Sequence, residues 1–248
     1  MANEYMSRLT VADEMVASII RKEHAEWLAT IEKGLGESNR GLDELYGTCK
    51  ASVGDFEKAR VLLAIRAFRS LRGALNLLEC GYNQQAGGLI RMAMEDLLVV
   101  EDIATHPSTL SALLHGSEDN KERLGRGELG LNAMAGRLSP DTKKAWKEEY
   151  DSLSVFATHP RAEGLATLVA QNQDGVLQLA VYGHYNRRQL SSLIELTAKQ
   201  TMFLMKTVAD MASGVVDSWL SSAAPAFQAL DQLIDEVRKV TTQPEKSD

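Results

Sequence analysis

Ionisable residues in one apolar segment are the strongest candidates for chemistry in this sequence. Arg91 and Glu95 lie four residues apart in "QQAGGLIRMAMEDLLVVEDIA", which places both on one face of a helix. With Gln84, Gly88 and Asp102 they fall within about 60° of one another on a helical projection. These five residues are called the polar wedge below. An arginine beside carboxylates can hold a phosphate-like anion or form a structural ion-pair network.

Two interpretations of the polar wedge remain open. Charged stripes usually face water, which predicts an exposed strip. Apolar residues cover most of the remaining circumference, although Asp96 and Glu101 also lie outside the wedge, and this pattern predicts a central helix. The preceding segment carries arginines at every third position, which predicts a buried or cleft-lining network. These arginines are Arg66, Arg69 and Arg72. If the chain turns near Gly81, Arg72 lies level with Arg91 and Arg69 lies level with Glu95, so the arginines can pair with carboxylates across the hairpin or bind phosphate.

A second candidate cluster lies in "YDSLSVFATHP". Ser154 follows Tyr150 by one helical turn, and His159 precedes a proline, which favours a corner at the end of a helix. The letters "ATHP" also occur at 104–107, where His106 holds the same position. The shared letters indicate similar helix ends and no internal repeat. We interpret each histidine as a residue at a helix corner that forms a hydrogen bond with the backbone. Ser154 and His159 could instead act as nucleophile and base, but no acidic residue that would orient the histidine is evident.

Both segments resemble one pattern. "LLECGYNQQAGGLIRMAMEDLL" and "YDSLSVFATHP" are similar to the "LL..G....A..L.R...E" and "Y..LS....H" of a group of uncharacterised bacterial all-helical proteins. The resemblance covers roughly residues 60–210, and it implies a compact bundle in which both segments face one cleft. The matching positions are Gly81, Ala86, Leu89, Arg91, Glu95, Tyr150, Leu153, Ser154 and His159.

The candidate site follows from these clusters and this resemblance. The candidate catalytic residues are Arg91, Glu95, Ser154 and His159, and the candidate binding residues are Arg69, Arg72, Arg91 and Tyr150. The group has distant similarity to HEPN and abortive-infection proteins. HEPN ribonucleases carry an arginine four to six residues before a histidine, and none of the five histidines here has one. The sequence therefore lacks a conventional HEPN nuclease site.

Other site classes are excluded by spacing. No histidine follows a glutamate by three residues or pairs with another histidine at the fourth position, so we expect no metal. The "GRGELG" at 125–130 fits GxGxxG, but the preceding "NKER" is no strand, so we expect no nucleotide cofactor. Cys49 and Cys80 form no CxxC and are interpreted as reduced thiols of a cytoplasmic protein.

The charge and hydrophobicity of the sequence argue against nucleic acid and membranes as partners. The net charge of −7 argues against nucleic acid, which needs clustered surplus Lys and Arg. The start "MANEYMSRLTVADEM" lacks the basic and apolar regions of a signal peptide. No run of 18 apolar residues occurs, so we expect no membrane span.

Helical periodicity predicts an all-α fold, a single bundle of about seven to ten helices without substantial sheet. The predicted organisation is an N-terminal helical segment (1–50), a bundle core (51–240) and a disordered tail (241–248). In the first segment, a helix with Val11, Met15, Ile19 and Trp27 on its buried side precedes a break at "GLGESNRG" and a short helix at Leu42–Cys49. "VLQLAVYG" at 176–183 is either strand or helix.

These features favour a cytoplasmic bacterial bundle that binds a partner protein or itself, as a homodimer, in stress or phage defence. The alternative is an enzyme acting on a phosphate-containing, nucleotide or RNA substrate, with Arg91, Glu95 and His159 in one cleft.

Overall fold

Helices account for nearly all of the described chain. The computed structural model describes residues 2–52, 54–110, 130–154, 169–171, 177–179, 186–213 and 216–242. These ranges include seven helices and two short paired strands: α1 (Ala2–Ser52), α2 (Asp55–Glu79), α3 (Asn83–Thr105), α4 (Leu131–Arg137), α5 (Pro140–Leu153), β1 (Val169–Gln171), β2 (Leu177–Leu179), α6 (Arg187–Ala212) and α7 (Asp217–Thr242). The predicted all-α bundle is confirmed. Part of the ambiguous 176–183 stretch is strand, with β2 antiparallel to β1 and Val169 opposite Leu179.

The turn between α2 and α3 follows the sequence prediction. Gly81 has φ 77°, the left-handed conformation that glycine adopts most easily. The Tyr82 N–H donates to the Leu77 carbonyl at 2.9 Å and the Gly81 N–H to that of Leu78 at 3.0 Å, which ends α2 in a Schellman motif. The two helices therefore run antiparallel, as predicted. Asn83 is the first residue of α3, and its side-chain amide donates to Gln189 Oε1 of α6 at 3.2 Å.

The predicted break in the first segment is wrong, because α1 continues through "GLGESNRG". Its glycines allow close packing. A Cβ on Gly34 would lie 2.7 Å from Leu230 Cδ1, and a Cβ on Gly41 would lie 2.6 Å from Val208 Cγ1. Interior glycine costs a helix about 1 kcal/mol, and tertiary packing routinely outweighs such propensities.

The buried side of α1 also differs from the prediction. The exposed fractions are 52% for Val11, 63% for Met15 and 40% for Ile19, although Trp27 packs against the core as expected. Ala17 and Ile20 lie on the face of this segment that packs into the bundle. The helix kinks at His24, a buried residue with non-helical φ −128° and ψ 16°.

One apolar core unites the long helices. It contains side chains from α1, α2, α3, α6 and α7, among them Ile31, Leu71, Leu97, Leu204 and Trp219. The residues of the expected 1–50 segment thus share a core with the rest of the bundle. The helix α3 is central, as its all-round apolarity predicted, and it contacts α2, α4, α5 and α6. Within the described ranges, no helix combines the length and hydrophobicity needed to cross a lipid bilayer.

The C-terminal helix continues slightly into the segment predicted to be disordered. The helix α7 ends at Thr242, and residues 243–248 lie outside the described residues.

Candidate functional site

Three of the predicted site residues meet where α3 faces α5. Arg91 Nε lies 3.1 Å from Glu95 Oε1, one turn further along α3. Arg91 Nη2 donates to the Tyr150 hydroxyl at 2.6 Å, and this hydroxyl donates to Glu95 Oε1 at 2.8 Å. The bonds close a ring of three side chains, called the Arg91 triad below.

Partial burial sets the electrostatics of the triad. The side chains of Arg91 and Glu95 are 23% and 32% exposed, which is between an open strip and a sealed interior. Burial and the hydrogen bond to Glu95 together raise the pKa of the Tyr150 phenol to about 12. The phenol therefore stays protonated at neutral pH and keeps donating to the carboxylate.

The sequence of α5 explains how Tyr150 is positioned. Ser139 caps the helix by accepting the Thr142 N–H at 3.3 Å, and Pro140 occupies the first turn. Trp146, one turn before Tyr150, stacks on its ring with centroids 4.6 Å apart. The Ser154 hydroxyl donates to the Tyr150 carbonyl at 2.8 Å and so bonds to its own helix. His159 lies outside the described residues.

A second polar cluster lies further along α3. The side chain of Asp102 is 1% exposed and accepts two bonds from Arg137 of α4, at 2.5 Å from Nε and 2.7 Å from Nη2. The Thr109 hydroxyl donates to the same carboxylate at 2.8 Å. His106 Nδ1 lies 3.6 Å from Asp102 Oδ1. The sequence prediction missed this cluster, because Arg137 is distant along the chain and follows a loop of weak periodicity.

Two opposing effects act on the Asp102 carboxyl. Burial raises its pKa, but the hydrogen bonds from Arg137 and Thr109 and the charge of Arg137 outweigh burial and leave the pKa below its ordinary value. The polar wedge is therefore divided. Asp102 is buried in an ion pair, while Gln84, Gly88, Arg91 and Glu95 are only partly buried.

The arginines of α2 do not gather at the wedge as expected. Arg66 forms the ion pair across the hairpin, and its partner is Asp96, a residue outside the wedge. Arg72 instead pairs with Glu32 of α1, with Arg72 Nη1 at 2.7 Å from Glu32 Oε1. Arg69 is exposed on α2. Of the four predicted binding residues, the structure brings together Arg91 and Tyr150.

The described ranges contain no group of three His, Cys, Asp or Glu side chains placed to hold a metal ion. Of the glycine-rich 125–130 segment, only Gly130 is described, and it precedes α4. No protein-family model, curated protein or solved structure matches this chain.

The triad has a limited chemical range. Arg91 donates from Nε to Glu95 and from Nη2 to Tyr150, and its guanidinium carbon lies 4.6 Å from the Tyr150 ring centroid. An incoming phosphate would have to compete with the Glu95 carboxylate for these donors. The three side chains bond one another, and these bonds join α3 to α5.

A different kind of site lies on α1, where Val11, Met15 and Ile19 recur every fourth residue on one exposed face. These three residues are called the α1 stripe below. Successive members are offset by about 40° on a helix, so they form one continuous strip. Exposed Glu14 and Ser18 lie beside the strip, and exposed Lys22 and Glu26 follow it along the same face of the helix. It lies at the end of the bundle where Tyr82 donates to Asp13 Oδ2 at 2.8 Å.

Proposed function

We propose that this protein acts without catalysis, as a helical bundle that forms a homodimer through the α1 stripe. The α1 stripe itself is the observation that carries the proposal. Single exposed apolar residues are common on protein surfaces, but a continuous strip rimmed by charged residues marks an interaction surface.

Both faces of this part of α1 are apolar. Ala17 and Ile20 are buried in the bundle, and Val11, Met15 and Ile19 lie on roughly the opposite side of the helix. A surface helix with one partner needs a single apolar face. The second face therefore supports the presence of another partner.

The spacing of the stripe favours a second copy of the chain as that partner. If two copies of α1 pair antiparallel about Met15, Val11 of one copy lies level with Ile19 of the other. Every member of the stripe then meets an apolar residue. A twofold axis through the middle of the stripe is the simplest symmetry that achieves this.

The state of the charged residues also supports a non-catalytic function. Arg91, Glu95 and Tyr150 bond one another, and Asp102 bonds Arg137. Groups engaged in this way stabilise contacts between α3, α4 and α5. The segment "LLECGYNQQAGGLIRMAMEDLL" resembles the pattern of a group of bacterial all-helical proteins. From this resemblance we propose that the protein acts in the bacterial cytoplasm during stress or phage attack.

The experiment compares two methionine substitutions. Met15→Glu places a charge in the stripe, and Met92→Glu places the same charge at a 49% exposed methionine on α3. We expect the wild type and Met92→Glu to sediment as concentration-dependent dimers and Met15→Glu to sediment as a monomer, with equal helical content in all three. A monomeric wild type at every concentration, or a dimeric Met15→Glu, would contradict the proposal.

A second candidate function is an enzyme for a phosphate-containing, nucleotide or RNA substrate, with Arg91, Glu95 and His159 in one cleft. The partial exposure of Arg91 and Glu95 favours it, because a substrate can reach these side chains. Inorganic phosphate should then bind more tightly to Glu95→Gln than to wild type, because Arg91 loses a competing carboxylate. Unchanged phosphate binding in Glu95→Gln and Arg91→Ala would remove this candidate.

A further inference from the structure

A cavity of about 130 Å³ lies between α3, α5 and α6, away from the α1 stripe. Leu98, Ala145, Trp146 and Phe203 form its apolar walls. A cavity of about 150 Å³ with apolar walls holds a benzene-sized molecule. This cavity is therefore large enough for a small ligand with a short apolar part.

Both charged residues that line the cavity are acidic. Glu101 of α3 and Glu149 of α5 line it, and none of the described lining residues is a lysine or arginine. Glu149 already accepts hydrogen bonds from Lys199 Nζ at 2.8 Å and from Gln200 Nε2 at 3.2 Å. Glu101 is the carboxylate that remains to meet a ligand.

Glu101 is incompletely compensated by its surroundings. Burial raises the pKa of its carboxyl, and the negative charge of Asp210 raises it further. The positive charges of Lys206 and Arg60, together with a contact from Thr207, lower the pKa without restoring its ordinary value. An ammonium group placed beside Glu101 in the cavity would further favour the charged carboxylate.

The aromatic walls suit the same ligand. Trp146 and Phe203 offer ring surfaces to an apolar chain, and indole in particular attracts a nearby ammonium group. Trp146 Nε1 is buried and has no hydrogen-bond acceptor in the described part of the chain. Its resonance is therefore a sensitive reporter of any molecule that enters.

We propose that this cavity binds a small organic cation, a primary amine with a short apolar group, whose ammonium pairs with Glu101 and whose apolar part packs on Trp146 and Phe203. The proposal is independent of self-association through the α1 stripe. It identifies a ligand site in which the recognition elements are one carboxylate and two aromatic walls.

The first test uses the wild-type protein and matched probes. Butylamine and benzylamine carry the proposed ammonium, and butanol and benzyl alcohol replace it with a neutral hydroxyl. The indole N–H resonance of Trp146, identified by its loss in Trp146→Phe, should shift with both amines in the millimolar range. Alcohols that bind as tightly as the amines, or amines that leave this resonance unmoved, would overturn the proposal.

The second test removes the charge of Glu101. Glu101→Gln keeps the shape of the side chain, and Glu148→Gln makes the same change at an exposed position of α5 outside the cavity lining. We expect Glu101→Gln to weaken benzylamine binding about tenfold or more, equivalent to about 1.4 kcal/mol or more, and Glu148→Gln to bind as wild type does. Equal binding by Glu101→Gln and wild type would exclude the proposed ion pair. If Glu101→Gln does not fold, the comparison of amines with alcohols on wild type still decides the question.

Discussion

The guanidinium carbon of Arg91 lies 4.6 Å from the centroid of the Tyr150 ring, and the hydroxyl of the same ring joins Arg91 to Glu95. One side chain of α5 therefore contacts the charged pair of α3 through both its face and its hydroxyl. Tyr150 also stacks on Trp146, which lines the cavity between α3, α5 and α6. The triad and the cavity are thus connected through two aromatic residues one helical turn apart.

Removal of the Tyr150 hydroxyl should loosen the contact between α3 and α5. Tyr150→Phe keeps the ring beneath Arg91 and deletes the bonds to Arg91 and Glu95. Because hydrogen bonds to charged groups contribute more than neutral ones, we expect the free energy of unfolding to fall by about 1.5–3 kcal/mol in denaturant titration.

Tyr150→Leu is the matched variant, since it removes the ring as well. The free energy of unfolding should fall further in Tyr150→Leu than in Tyr150→Phe, because Arg91 and Trp146 both lose their aromatic neighbour. Equal stability of wild type and Tyr150→Phe would mean that the triad does not hold the two helices together.

Substitution of Arg137 should lower the free energy of unfolding more than any substitution in the triad. Arg137→Met keeps much of the aliphatic side chain but leaves the buried Asp102 carboxylate without its two charged donors. Breaking a buried pair by removing one partner costs about 3–5 kcal/mol. The double variant with Asp102→Asn should recover part of this loss in the same unfolding measurement, and a double variant as unstable as the sum of the single ones would contradict the prediction.

The Asp102 pair should also contribute to acid sensitivity. The folded protein holds the pKa of Asp102 below the ordinary value of 3.8, so the unfolded chain takes up this proton first as the pH falls. The stabilisation is complete above pH 3.8 and is lost as the pH falls towards the lowered folded pKa. Unfolding titrations of wild type and Asp102→Asn should therefore differ most at neutral pH and converge in acid. A constant difference across the range would show that ionisation of Asp102 does not stabilise the fold.

Local sequence signals predicted the features that depend on local interactions. The end of α2 at Gly81 is such a feature, because the residues around a helix end determine its backbone conformation. The central position of α3 follows from its all-round apolarity. The contact of Tyr150 with Arg91 and Glu95 lies beyond such local signals, because periodicity gave no reason to bring α5 to that face of α3.

Tertiary packing explains the errors. Gly34 and Gly41 indicate a helix break in sequence, but helices α6 and α7 pack so closely against α1 that no side chain fits there. The apolar period of Val11, Met15 and Ile19 indicates burial, and the described chain supplies no residues to cover that face fully. The partner of Asp102 was missed because ion pairs between distant segments leave no periodic signal.

Glycines of α1 allow a direct test of this explanation. A Cβ on Gly41 would lie 2.6 Å from Val208 Cγ1 and 2.7 Å from Trp219 Cε2. Overpacking of this kind costs about 1–3 kcal/mol, so Gly41→Ala should lower the melting temperature. Gly36→Ala is the control in the same helix, because nothing lies within 4 Å of its Cβ, and it should stabilise by about 0.5–1 kcal/mol. A stabilising Gly41→Ala would show that the helices can separate freely at this point.

The two "ATHP" histidines should differ in which residues they couple to. His106 Nδ1 lies 3.6 Å from Asp102, and along α3 its residue is about 16 Å from Glu95. His106→Ala and Glu95→Ala should therefore be additive within about 0.5 kcal/mol in a double-mutant cycle. Coupling between these two would mean that the Asp102 cluster and the triad act as one network.

His159 should behave differently, because the resemblance puts His159 in the same cleft as Arg91 and Glu95. We expect His159→Ala and Glu95→Ala to couple by about 0.5–3 kcal/mol in denaturant unfolding, on a protein shown to unfold in one step. Both cycles share the Glu95 variant, so a difference between them depends on the histidines alone. Additivity in the His159 cycle would separate that residue from the triad and would remove the three-residue cleft on which the enzymatic alternative depends.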